Sequence, residues 1–272
     1  MIDTKEQNTE QKNDVALIPQ YSLSKLLLIW VVTALPMGIL GWVVAPALVN
    51  ATHTPLARTA VLTVGLVWQF VLAMILVYQE AGNLRWSTLR QRLFLMTPRS
   101  PRTGKPSARL WWWLVPLVLL TAIFQVLIEP KLNHLWVSVF PFLAAPSGFE
   151  LNTMLATPAV RAQLVGAWGI LFLNVLMLLF NTFLGEELLF RGVVLPRMAG
   201  VFGKGDWVMN GLVFSLYHLH QPWGWPSYIL DWTLCFALPS RLFRSTWFGI
   251  VAHSGQTVFF TVLILGLVLR WW

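Results

Sequence analysis

The sequence predicts an all-α fold: a polytopic transmembrane helix bundle of about seven spans (six to eight). Three observations carry this. Of 272 residues, 57% are hydrophobic and only 11% charged, with a mean hydropathy of +0.65, whereas a soluble domain carries about a quarter charged residues. The apolar residues gather in runs close to the ~20 residues that cross a bilayer. Sixteen tryptophans and seventeen phenylalanines suit helix ends placed in membrane interfaces, where amphipathic rings concentrate.

Each span follows from its run. Leu26–Val49 is the first, with Pro36 and Pro46 bending it; Thr59–Tyr78 is the second and Leu110–Ile128 the third. Leu164–Leu184 is the fourth and runs straight into Gly185, Glu186 and Glu187. Val208–Leu219 and Trp225–Leu238 are shorter, and short apolar segments among true spans often line a cavity instead of facing lipid. Trp247–Leu269 is the last, and Leu135–Ala145 is read as a possible re-entrant stretch. Residues 1–21 are polar and mixed in charge, unlike a signal peptide, so the first apolar run is expected to stay as an anchor.

Charge sets the expected orientation. The net charge is +8, but the basic residues lie in short links between apolar runs, which reads as membrane topology and not as a nucleic-acid surface. The link from Ala81 to Arg109 holds seven basic residues and no acid, so the loop 80–109 and the tail 1–25 are assigned to the cytoplasm. Seven spans then put every Lys and Arg except Arg58, Lys131, Arg161 and Arg270 on that side. Leu84–Leu95 reads as a basic interfacial helix and residues 100–107 as a flexible loop. The single cysteine, Cys235, excludes an intrachain disulfide and a CxxC metal knuckle.

Ionisable residues within apolar segments cost about 2.5–3.5 kcal/mol or more at mid-membrane, so each invites a functional reading. In Glu186-Glu187-x-x-x-Arg191, Glu187 and Arg191 are four apart and stack on one helix face as an ion pair, while Glu186 is rotated by about 100° and left without that partner. Such a carboxylate in a low-dielectric cavity suits general-base work on water; the bland alternative is a solvated helix end. His218, in Phe214-x-x-x-His218, lies well inside its segment and can hydrogen-bond or ligate a metal; alone it would more often be a structural histidine. His220, two residues on, would point to the opposite helix face and reads as a bystander. His253 has Thr257 one turn later on the same face, with Ser254 and Gln256 nearby, and these can aim donors at a developing oxyanion or simply pack helices. Gly203-Lys204-Gly205-Asp206 spells the GxGD of aspartyl intramembrane proteases, but that chemistry needs a second aspartate about 3 Å away, and Asp231 falls elsewhere. A turn with Asp206 starting the next helix explains the letters; Asp231 is expected to hydrogen-bond Trp232, Tyr228 or a neighbouring helix.

Taken in order, EExxxR, FxxxH and a membrane histidine followed four residues later by a polar side chain resemble the CPBP family, the type II CAAX prenyl proteases and bacteriocin-processing (Abi) proteins. The likeness spans roughly residues 166–269. It implies an intramembrane endopeptidase in the bundle 163–272, behind N-terminal spans at 26–162, with its cavity open to the cytoplasm. Glu186 then looks like the base that activates water, supported by Glu187 and Arg191. His218 looks like its partner or a metal ligand, and His253 like a second ligand or an oxyanion stabiliser. Two histidines and a carboxylate would satisfy zinc or another divalent metal, and a metal-independent route is equally open. The implied substrate is a membrane-anchored peptide or protein, lipidated or not, in the lipid bilayer, with no nucleic acid involved. One departure stands out: the family usually has Asn where this chain has Thr257, which has one donor in place of two. That departure keeps a non-catalytic scaffold or immunity protein in play, and a proton-coupled transporter is a third reading.

Overall fold

The computed structural model describes residues 18–54, 57–147, 149, 155 and 157–271, so most of the polar N-terminal tail lies outside the described residues. All the regular structure described is helical, apart from one isolated bridge between Arg99 and Pro106. Among the described residues, five helices are long and apolar enough to cross a membrane: α1 (Leu23–Thr52), α2 (Ala57–Ala81), α4 (Ala108–Val139), α6 (Trp168–Arg197) and α9 (Trp247–Val268). Between them lie α3 (Trp86–Arg92), α5 (Pro158–Leu164), α7 (Asp206–Tyr217) and α8 (225–243).

The two short apolar segments of the sequence are α7 and α8. At 1.5 Å per residue the 12 residues of α7 reach about 18 Å, short of a hydrocarbon core about 30 Å thick. The chain breaks at His218, makes a 3₁₀ turn at Pro222–Gly224 and returns as α8. Irregular backbone at this depth is tolerated only inside protein, and tryptophans cap the break. The indole N–H groups of Trp42, Trp136 and Trp225 donate to the carbonyls of Leu219, Pro222 and His218 at 2.8, 3.0 and 3.2 Å. Half of the most apolar window of α2 is buried, against 6% for α4, so α2 is the central pillar and α4 faces lipid.

Three expectations change. The third run does not stop at Ile128: a π-helical turn at Phe124–Ile128 carries α4 on through Pro130 to Val139, and the supposed re-entrant stretch is its last turns followed by the 3₁₀ turn Pro141–Leu143. The basic interfacial helix is cut to α3, because Leu93 and Leu95 turn inward and are buried. The loop 100–107 is a tight hairpin, with the Ser100 N–H donating to the Lys105 carbonyl at 2.9 Å and the Ser107 N–H to the Pro98 carbonyl at 2.9 Å.

The helix ends of the bundle differ. At the end carrying the basic loop, Arg197 clasps both oxygens of Glu80 at 2.7 and 2.6 Å, and Tyr21 adds a 2.5 Å hydrogen bond to the same carboxylate. Thr246 donates to the Leu93 carbonyl at 2.6 Å, the Arg99 N–H donates to Phe243, and Arg241 pairs with Asp206. This end is laced shut. Asp206 therefore starts α7 and holds Arg241, and the GxGD letters form a turn with Gly203 at φ +55°, as expected.

Candidate active site

The middle of α6 is wound wide. Phe180–Gly185 and Leu188–Val194 are π-helical, and Glu186 and Glu187 sit between them. π-turns of this kind occur frequently at functional sites. Both carboxylates are buried, at 1% and 0% exposure, so the solvated helix end is excluded.

Glu187 and Arg191 form the expected pair, Oε1 to Nη1 at 3.3 Å, and the guanidinium lies 4.0 Å from the centroid of the Phe214 ring. Glu187 also accepts from Nδ1 of His253 at 3.1 Å, so one carboxylate ties α6 to α9. A Cβ at Gly249 would collide with Oε2 of Glu187, so glycine at that position lets α9 come this close.

Glu186 is held differently. Its Oε1 accepts from the hydroxyl of Tyr217 at 3.0 Å, and that hydroxyl accepts from Nε2 of Gln69 at 2.6 Å. Its Oε2 is buried with no hydrogen-bond partner. Nε2 of His218 lies 3.7 Å from Oε1, while Nδ1 is 3.0 Å from the Phe214 carbonyl. A carbonyl only accepts, so Nδ1 carries the proton and the lone pair of Nε2 faces the Glu186 side.

These groups share one cavity of about 680 Å³, lined among others by Glu186, His218, His253, Gln256 and Thr257. Gln256 and Thr257 both reach this space. His220 also lines it, which corrects its reading as a bystander. The opposite-face argument assumed a continuous helix, but α7 ends at Tyr217 and the two imidazoles stack with centroids 5.4 Å apart. Asp231 bonds a neighbouring helix, one of the expected partners: its Oδ2 accepts from Gln125 of α4 at 3.0 Å. Neither Tyr217 nor Gln69 was among the expected site residues. Gln69 is an amide alone within an apolar span, and that signal points to it.

The donor set bears on the expected metal. Nδ1 of each histidine is engaged, and among the described residues no group of three or more His, Cys, Asp or Glu is arranged to hold a metal ion. With Nδ1 donating to a carbonyl or a carboxylate, Nε2 is the nitrogen of each ring through which a metal would be held.

Residues 167–259 match the family model described as type II CAAX prenyl endopeptidase, Rce1-like. The match covers every site residue named above except Gln69 and Gln125. No curated protein and no solved structure matches the chain.

Proposed function

We propose that this chain, whose residues 167–259 match the model of the type II CAAX prenyl endopeptidases, is an intramembrane endopeptidase that uses Glu186 to activate water against a membrane-anchored peptide. The observation carrying this reading is the convergence of α6, α7 and α9 on one cavity, which Glu186, His218 and His253 all line and where Oε2 of Glu186 is buried without a hydrogen-bond partner.

The chemistry divides among the residues as follows. Glu186 takes a proton from water through Oε2 while Tyr217 holds Oε1. The lone pair on Nε2 of His218 accepts the other water hydrogen and orients the nucleophile. The tetrahedral oxyanion is met by Thr257 and Gln256, and His253, anchored by Glu187, lines the same space. Glu186 then passes its proton to the departing amine, so one water is consumed and the carboxylate is regenerated. The low-dielectric surroundings strengthen each of these interactions relative to water.

Cleavage of a membrane-anchored peptide by purified protein in detergent tests the proposal. Wild type should cut it, while Glu186→Gln and His218→Ala should each lose the activity at unchanged monodispersity and thermal midpoint. Retained cleavage in both variants would overturn the assignment.

A further inference from the structure

Charge placed the basic loop in the cytoplasm, and the family resemblance implied a cavity open to that same side. The structure separates them. Residues at one set of helix ends belong together through contacts already described: Tyr21, Glu80, Arg99, Arg197, Asp206 and Thr246 lace shut the end that carries the basic loop. The opposite end holds the turn between α1 and α2, the last turns of α4 and the start of α6. There the Gly166 N–H donates to the Val268 carbonyl at 3.0 Å, and the Phe149 ring packs at 5.3 Å on Trp42 and 6.3 Å on Trp223.

The cavity runs from Glu186 towards this second end. Leu62 lies near the start of α2, Asn133, His134 and Val137 close α4, and Ala145 and Phe149 follow it; all line the cavity. No residue of the basic loop does so. Arg58, also at this end, holds the carbonyls of Gly41 and His220 at 2.9 and 3.5 Å and so fixes one wall.

We infer that peptide reaches this site from the membrane face opposite the basic loop, which by the positive-inside rule is the non-cytoplasmic face. The substrate class follows: a membrane-anchored chain whose scissile bond lies in its outer-leaflet half or just outside it, and not one tethered by a lipid on the cytoplasmic surface. The part concerning substrate rests on the proposed proteolysis; the side of entry does not.

Single-cysteine labelling in whole cells tests it. Cys235 is replaced by Ala, and His134→Cys at the mouth and Arg102→Cys in the basic loop are each exposed to a membrane-impermeant maleimide before and after lysis. His134→Cys should label in intact cells with an outer barrier made permeable, and Arg102→Cys only after lysis. Labelling of Arg102→Cys in intact cells, or of His134→Cys only after lysis, would overturn the inference, as would a His134→Cys that never labels. A second readout follows cleavage of a membrane-anchored peptide by the His134→Cys protein. Bulky maleimide at the mouth should lower the rate at least tenfold. An unlabelled protein that cleaves nothing would sink the protease reading while leaving the side of entry decided by the labelling, and full activity after labelling would remove this mouth as the substrate's path.

Discussion

The Tyr217 hydroxyl donates to Oε1 of Glu186 at 3.0 Å, and Gln69, 148 residues away from Tyr217 in sequence, fixes which way that hydroxyl points. Because Gln69 Nε2 can only donate, it occupies a lone pair of the tyrosine and leaves the hydroxyl hydrogen for the carboxylate. One oxygen of Glu186 is thereby anchored and the other left for water.

Tyr217→Phe should therefore lower kcat about 10- to 100-fold with little change in KM. The estimate takes a hydrogen bond to a charged group as about 1.5–3 kcal/mol, at about 1.4 kcal/mol per tenfold in rate. Steady-state kinetics on a membrane-anchored peptide would measure this, and a change in KM alone would count against a positioning role.

Glu187 and Arg191 are both fully buried, so removing one leaves a charge stranded. Glu187→Ala and Arg191→Ala should each cost about 3–5 kcal/mol and yield aggregated protein. The paired change Glu187→Leu with Arg191→Met should recover folding but not cleavage, because His253 loses its anchor. Size-exclusion profiles and thermal melts in detergent separate the three outcomes.

How far the letters revealed this arrangement depends on what each feature obeys. The Glu187–Arg191 pair was legible because it is local, set by spacing along one helix. The convergence of Glu186, His218 and His253 could be suggested only by family resemblance, since tertiary packing brings α6, α7 and α9 together. His220 was misjudged for a physical reason: periodicity assumes an unbroken helix, and the indoles that stabilise the break come from distant segments. The contribution of Gln69 was out of reach of any motif, because it comes from a helix outside the matched segment.

Thr257, which departs from the asparagine that the family resemblance implies, lines the cavity. Thr257→Asn should raise kcat about tenfold if Thr257 faces the oxyanion, below the 10²–10³ ascribed to a full oxyanion donor, because Gln256 lines the same space. A parallel Gln256→Ala should then be slower than wild type, and no response from either variant would place the oxyanion elsewhere.

Elemental analysis of active protein purified without chelator should show no stoichiometric zinc or other transition metal. Stoichiometric metal lost from both His218→Ala and His253→Ala would overturn the metal-free reading.

Tyr21 lies just before α1, and burial, reinforced by its hydrogen bond to Glu80, pushes its hydroxyl above the ordinary tyrosine range. Here the folded state holds the proton more tightly than the unfolded one. The resulting stability is whole below pH ~10, the unfolded value, and fades as pH rises above it. Tyr21→Phe should therefore soften the loss of thermal stability between pH 9 and 11, read as melting midpoints in detergent; identical slopes would place Tyr21 outside the clasp.

The wide turns of α6 on either side of Glu186 make chain length itself part of the chemistry. Deleting one residue from Phe180–Gly185 would let the helix tighten to ordinary α winding, at the cost of swinging everything beyond it by about 100°. Glu186 would then leave the water-facing wall with every letter of its motif intact. A relative that preserves the motif but lacks this extra residue would carry the signature of a protease without its geometry.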